Sequence, residues 1–429
     1  MQKLRVADYV ASFIKKIGVD CVFMVPGGGA MFLNDAIQCK KGLDFVANHN
    51  EQASSIAAEA YSRVTENIGV AIVTTGPGST NAITGVAGAW IESVPLMIIS
   101  GQVKRSDLKG KSGVRQMGPQ EVDIVSIVSP ITKYAKTIKD PKKIRSELEK
   151  AYYLATSGRK GPVWIDIPLD IQATPIDPTK LIGFKKLTSN KSSLKFFNKY
   201  DEIINLINTS ERPIILAGHG IRLAKASKDF TKMCRLLNIP VVTTWNAMDL
   251  LPNSNKLNIG KPGSVALRAP NFAIQNSDLL ISVGARLDNV VTAYNPQNFA
   301  KNSKRIIVDI DLNELNKFKM KVHFKINLDA KVFLENLNAT TAKSKIKKFT
   351  QWINKCNNWK NKYAINDGKS FKQDKKISHL RLVDTLSDCL PKNSLIITGS
   401  SGLAIESFYM AFRNKPGQRI FLTSGLGAM

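Results

Sequence analysis

Several short apolar runs in this chain break at a glycine turn and give way to a helical pattern, and that alternation leaves few folds open. Residues 21–25 run into Pro26-Gly27-Gly28-Gly29, residues 70–74 into Gly76-Pro77-Gly78-Ser79-Thr80-Asn81, and residues 213–217 into Gly218-His219-Gly220. Such runs are apolar at nearly every position, so they read as strands buried on both faces. Between them, residues 4–17 and 51–64 and a stretch from Met31 carry helical spacing. A strand is read at 45–47 and treated as buried, and the set is read as closing at 95–100, before Gly101-Gln102. Repeated strand–loop–helix units predict an α/β fold with parallel sheets covered on both faces.

The pattern is read as three doubly wound parallel-sheet domains. The first covers residues 1–175 and is followed by a polar linker at 176–198. A central block covers 199–340, with strands at 213–217, 239–243, 279–283 and 305–310. A Lys- and Trp-bearing helical connector at 341–377 leads to a third block at 378–429. A length of 429 residues suits two to four domains of ordinary size.

Composition narrows the function classes. The net charge of +27 comes from lysines spread thinly, with small pockets at 139–143 and 343–348. No stretch interleaves aromatic and basic residues, so a nucleic-acid partner is not expected. The charge reads as a compositional bias of solvated faces, with anionic ligands as a further use for it. No apolar stretch reaches the roughly 18 residues a membrane span needs, and the first residues lack a signal-peptide core. The chain is therefore read as cytoplasmic, without a membrane partner. Five cysteines, odd in number and without a CxxC pair, predict reduced, mostly buried thiols and no structural zinc.

Glu51 is the first candidate for chemistry. It stands in His49-Asn50-Glu51-Gln52, where a strand gives way to a helix poor in large residues. One reading is a helix-start carboxylate favoured by the helix dipole. The other is a functional group at the crevice beyond the strand ends, with the turns at 26–29 and 76–78 leaving the same sheet edge. Gly218-His219-Gly220 is weak support for a dinucleotide, because it lacks the third glycine. His219, His323 and His379 lack partners at ligand spacing and read as surface or packing residues.

Taken in order, these phrases resemble a known family. VPGGG, NHNEQ, TTGPGSTN, SGQ, the pair Gln120-Glu121 and GRKGPVWIDIP are similar to PGG, HEQA, TSGPGxTN, TGQ, FQE and GRPGPVxxDxP. Those are phrases of the acetolactate synthase branch of thiamine-diphosphate enzymes. The likeness continues through Gly284-Ala285-Arg286-Leu287-Asp288 and Val308-Asp309-Ile310-Asp311, and ends at residues 423–429. It implies a pyrimidine-binding first domain, a central domain and the beginning of a diphosphate-binding domain.

By that resemblance Glu51 hydrogen-bonds the cofactor's pyrimidine ring and drives it to its reactive tautomer. Gly28 lies near the reacting carbon, and Gln120 is a polar active-site residue. Pro26, Gly27, Gly29, Thr75, Gly76 and Asn81 belong to the cofactor-binding loops. Gly427 offers its carbonyl to the cofactor's amino group, and Met429 wedges the two rings apart. Arg159, Gly218, Arg286 and Asp311 fall on phrases that cradle FAD in the synthases, and FAD, ADP or no ligand all remain open there. Arg115 is an added cation near the substrate mouth, and Pro119 replaces the family's phenylalanine. The third block has Ser400-Ser401-Gly402-Leu403 where the synthases have Gly-Gln-His-Gln.

The implied activity is decarboxylation of a 2-keto acid with acyl transfer to a carbonyl acceptor. A simple decarboxylase, an oxidase, an acyl-CoA lyase and a non-catalytic nucleotide-binding subunit are the alternatives. Thiamine diphosphate is the implied cofactor. Mg²⁺ is implied with ligands beyond residue 429, so no metal ligand is assigned in this chain, and the chain is read as an inactive fragment of a longer protein. A homodimer or homotetramer is implied, with Glu51 meeting Gly427 and Met429 across a subunit interface.

Overall fold

The computed structural model describes residues 4–186, 199–317, 320–365 and 377–427. Parts of the expected linker and connector, and Met429, lie outside them. Two compact units are present: Met1–Thr188 with Thr423–Ala428, and Ser189–Leu422.

In the first unit, β1 (Leu4–Arg5) leads into α1 (Val6–Lys16). Then come β2 (Cys21–Met24), α2 (Met31–Cys39), β3 (Asp44–Ala47), α3 (Glu51–Thr65) and β4 (Gly69–Val73). After α4 (Pro77–Asn81) and α5 (Ile83–Glu92) come β5 (Leu96–Gln102), β6 (Tyr134–Thr137), β7 (Pro162–Pro168) and β8 (Pro175–Ile176). Six strands form one parallel sheet in the order β3-β2-β4-β5-β7-β6. The short β1 and β8 pair antiparallel and tie the two ends of the block together.

Burial follows position in this sheet. Every residue of the central β4, β5 and β7 is buried, and these strands are apolar except for Ser100 and Gln102 in β5 and Asp166 in β7. Side chains still alternate between two cores. Val70 and Ile72 join α1 and α2 on one face, whereas Ala71 and Val73 join Ala58, Val86 and Ala89 on the other. That second face is lined by small residues, so α3 and α5 approach closely.

Two expectations need correction. The edge strand β3 is exposed at all four positions, not buried, because only β2 flanks it. The sheet also does not close at residues 95–100, since β7 inserts between β5 and β6. The phrase GRKGPVWIDIP supplies β7, so a motif and a central strand share the same residues.

The second unit holds β9 (Pro213–Ala217), β10 (Val241–Thr243), β11 (Asn258–Gly260), β12 (Leu279–Val283), β13 (Lys304–Asp309) and β14 (Phe324–Asn327). They form a second parallel sheet in the order β11-β10-β9-β12-β13-β14. The sequence reading missed β11 and β14. Both are short edge strands with Asn, Gly or Lys among three or four residues, and so carry little apolar signal. A parallel pair, β15 (Leu395–Ile397) and β16 (Arg419–Phe421), packs with helices His379–Cys389 and Gly402–Ala411.

A buried carboxylate helps fasten the β15–β16 block to the central block. Asp249 has a fully buried side chain that meets Arg222 Nε at 3.0 Å and Arg419 Nη1 at 2.9 Å. Its Oδ2 also accepts the Ile420 backbone N–H at 2.9 Å. Nearby, Trp245 stacks on Tyr409, and Asn246 Oδ1 accepts the Leu422 N–H at 3.1 Å.

The cysteines are free, but the expectation of mostly buried thiols holds only for Cys234 and Cys356. Cys21 is half-buried, and Cys39 and Cys389 are exposed, at helix ends that face solvent. Among the described residues no helix is long and apolar enough to cross a membrane.

Removing one member of a buried, hydrogen-bonded charge pair leaves the other uncompensated, at a cost of about 3–5 kcal/mol. Asp249→Ala is therefore expected to lower the urea midpoint of the second unit's unfolding. An unchanged midpoint would show that Asp249 does not fasten β16.

Candidate functional site

In the first sheet the strand order departs in both directions from β2, to β3 on one side and β4 on the other. Loops leaving β2 and β4 at their C-terminal ends therefore separate to opposite faces and leave a crevice between them. The register Met24↔Ala47 brings the loop after β3 to the same edge.

The two glycine loops interlock there. Gly29 donates its N–H to Thr74 Oγ1 at 3.0 Å. A Cβ on Gly27 would stand 2.6 Å from Thr74, and one on Gly29 would stand 2.6 Å from Thr75 Cγ2. Those two glycines are thus required by packing between the loops. Gly28 differs: it is exposed, and a Cβ there would meet nothing within 4 Å. Pro26 is exposed beside it. Gly76 takes φ +61, which a β-carbon disfavours, and turns the chain into α4.

Glu51 occupies the first turn of α3 with only 8% of its surface exposed. Asn50 already caps this helix, its side chain accepting the Gln52 N–H at 2.7 Å. The carboxylate is free for another use, although the helix dipole favours it there. Asn81 Nδ2 donates to Glu51 Oε2 at 3.0 Å. The other oxygen faces Gly78, where a Cβ would come within 3.3 Å of it. The structure thus brings Glu51, Asn81 and the turns at 26–29 and 76–78 to one crevice.

A buried polar network, not expected from the sequence, supports the crevice from β5 and β7. The Thr75 hydroxyl lies 3.1 Å from Gln102 Oε1 and 2.9 Å from the Gln120 carbonyl. Gln102 Nε2 donates to the Val122 carbonyl at 2.9 Å and to Asp166 Oδ2 at 3.3 Å. Asp166 also accepts from Ser100 at 2.7 Å and Thr137 at 3.0 Å. Burial is the larger influence on this carboxyl and lifts it from its ordinary 3.8 to about 6, against the pull of those donors. The phrases SGQ and VWIDIP carried the signal for Gln102 and Asp166.

Gln120 is exposed and adopts φ +69. Next to it the buried Glu121 accepts the Met117 N–H at 2.7 Å and the Lys109 N–H, which closes the loop that carries Arg115. Arg115 is exposed. Gly427 takes φ +67 in a turn and faces open space.

Gly218, Arg286 and Asp311 follow β9, β12 and β13, three neighbouring strands of the second sheet. The strand order reverses here too, between β9 and β12. A Cβ on Gly218 would stand 2.0 Å from the Gly284 carbonyl, so that glycine is explained by contact between two loops. Arg286 pairs with Asp288 at 3.3 Å, and Asp311 accepts the Asn313 N–H at 2.9 Å as a helix cap. Arg159 belongs to the first unit, where its Nε donates to Ser93 Oγ at 2.9 Å. His219 Nδ1 lies 3.0 Å from the Asn246 carbonyl.

Two family models match this chain. One describes the N-terminal TPP binding domain of thiamine pyrophosphate enzymes and matches residues 4–127. The other describes the central domain of the same enzymes and matches residues 200–337. A probable acetolactate synthase large subunit of Methanocaldococcus jannaschii is 32% identical over 441 aligned residues, covering 99% of this chain and 71% of the relative. The chain belongs to the acetolactate synthase-like family of thiamine pyrophosphate enzymes. An acetolactate synthase large subunit of Lactococcus lactis is 34% identical over 331 residues, covering 77% of this chain and 56% of its own length. The chloroplastic acetolactate synthase of Arabidopsis thaliana is 32% identical, covering all of this chain and 62% of its own length. The chain spans little more than half the length of two of the bacterial relatives it matches, 56% and 55%.

The Asp166 carboxyl sets a pH dependence with a definite sign. Its folded-state value is raised, so between pH 3.8 and about 6 the native chain holds a proton that the unfolded chain releases. Stability from this group is present at the acid end and falls as pH rises through that window. Relative to Asp166→Asn, the wild-type unfolding free energy should drop by about 2 kcal/mol across it. Parallel stability profiles of the two proteins would refute the assignment.

Proposed function

We propose that this chain carries the amino-terminal and central parts of an enzyme that decarboxylates a 2-keto acid and passes the acyl unit to a carbonyl acceptor. The observation that carries this reading is the buried Glu51 carboxylate at the strand-order reversal, held by Asn81 and bordered by glycine backbone. A crevice with one buried carboxylate, and an edge at Gly28 where nothing stands within 4 Å of a Cβ, fits a flat ring that offers nitrogen atoms. When bound, thiamine diphosphate supplies the carbon acid and the electron sink that this decarboxylation needs.

The surroundings of each residue support a part for it in this scheme. Glu51 holds a proton on a ring nitrogen, and Asn81 fixes the rotamer from which it does so. Gly28 leaves room at the reacting centre. Thr75, through its contact with the Gln120 carbonyl, sets the backbone from which Gln120 meets the substrate. Arg115, exposed on the adjoining loop, is the cation for the substrate's carboxylate.

Three further elements belong to the proposal. FAD or an adenine nucleotide would lie along the edge of β9, β12 and β13, where Arg286 and Asp311 offer a cation and a carboxylate. Mg²⁺ is assigned no ligand here; among the described residues no three His, Cys, Asp or Glu side chains converge on one point. A homodimer or homotetramer is the proposed assembly.

Glu51→Gln keeps the shape and one hydrogen bond while removing the shared proton. In the protein as the cell makes it, this variant should retain fold and thiamine diphosphate binding. It should lose proton exchange at the thiazolium carbon by about two to four orders of magnitude. Normal exchange, followed by NMR, would remove Glu51 from the mechanism. Release of CO₂ from a panel of 2-keto acids, dependent on thiamine diphosphate, identifies the substrate class; no release from any of them would sink the decarboxylase reading.

A further inference from the structure

A second group of buried charges on α3 has no part in the scheme above. Glu59 and Arg63, two turns and three turns beyond Glu51, form a salt bridge at 2.7 Å with side chains only 2% and 1% exposed. Arg63 Nη2 also lies 3.7 Å from Glu92 Oε2 at the end of α5, whose side chain is 8% exposed. Two carboxylates thus face one guanidinium. Buried carboxylates need donors to offset their lost hydration.

Those donors come from the turn that follows β16. The Ser424 hydroxyl donates to Glu92 Oε1 at 2.8 Å, and the Gly425 backbone N–H donates to the same oxygen at 2.6 Å. The Thr423 hydroxyl lies 3.3 Å from Glu59 Oε2. Packing requires small residues on both sides of this contact. A Cβ on Gly425 would stand 2.2 Å from Ile91 Cγ2, and one on Gly88 would stand 3.3 Å from Thr423 Cγ2. Residues 423–425 therefore lie directly on α5, held by hydrogen bonds to charged oxygen, roughly twice as strong as neutral ones.

We infer that Glu92, backed by Arg63 and Glu59, is a positioning residue that clamps the turn at 423–427 onto α3 and α5 so that the turn can present backbone to the thiamine cofactor. The second half of this statement rests on the proposed function; the clamp itself does not. α3 carries the candidate proton-handling carboxylate at its first turn and the clamp farther along. One helix thereby carries the candidate carboxylate and backs the clamp, and loss of Glu92 frees the turn without touching Glu51.

The experiment compares amide hydrogen exchange of residues 423–427 in the wild-type chain, Glu92→Ala and Glu92→Gln. Alanine removes the acceptor oxygen, so the Gly425 amide should exchange about tenfold faster or more. Glutamine keeps an acceptor oxygen and should restore most of the protection. Exchange in Glu92→Ala equal to wild type, in a folded chain, overturns the clamp. Should Glu92→Ala fail to fold, Thr423→Val with Ser424→Ala removes donors from the other side and must raise exchange at Gly425 in the same way; unchanged protection there is equally fatal. Titration with thiamine diphosphate then tests the functional half. A raised Kd in the variants with faster exchange supports positioning, and a wild-type Kd in those variants overturns it. This titration uses the protein as the cell makes it; if its wild-type form binds no thiamine diphosphate, the functional reading fails and the exchange result stands.

Discussion

Everything at the candidate site depends on the reversal of strand order at β2 inside a sheet that is buried on both faces. Because β3 and β4 flank β2 on opposite sides, the loops leaving β2 and β4 cannot both turn to the same face. They meet edge to edge and hold each other through Thr74, Thr75 and the glycines of the first loop. The crevice is therefore a property of topology, and the side chains only furnish it. Glycine serves two purposes at 26–29: Gly27 and Gly29 permit the loops to touch, and Gly28 leaves an opening.

The furnishing is layered. Glu51 and Asn81 line the crevice itself, and the Thr75–Gln102–Asp166 network behind them ties the loop at 118–123 to the central strands β5 and β7. A network of this kind is stable only when its donors and acceptors are matched. Asp166 accepts from three side chains, and its burial still keeps the carboxyl above its ordinary range. That combination marks a residue kept for the hydrogen bonds it organises, at a cost in stability near neutral pH.

Both large sheets use the same reversal, at β2 in the first unit and at β9 in the second. The family assignment covers both, through separate N-terminal and central domain models. The two reversals are built differently. In the first sheet a glycine is left facing open space, whereas at β9 the glycines are consumed by contact between Gly218, Gly220 and the Gly284 turn. A GxG phrase after a strand can thus report loop-to-loop packing as readily as a ligand. The third block is joined to the central one by a different device, the shared carboxylate of Asp249, which satisfies Arg222, Arg419 and a backbone N–H of β16.

Sequence alone determined the fold class, most of the central strands and the family, because each is written in contiguous residues; the central β7 was legible only as a motif, its apolar run being broken by Asp166. A strand buried on both faces is apolar at most positions, and the phrases around Glu51 and Gly76 are local. Edge strands escaped for the converse reason: β3 is exposed, while β11 and β14 are short and partly polar, so burial left no consistent pattern on them. The roles of Gln102 and Asp166 were also illegible, although their phrases were noticed. A hydrogen bond between side chains 64 residues apart has no signature in either segment. Only the tertiary structure decided which glycines face a neighbour and which face open space. Only it placed Glu59, Arg63 and Glu92 under the turn at 423–425, since distances across hundreds of residues are set by how sheets and helices pack, not by local composition.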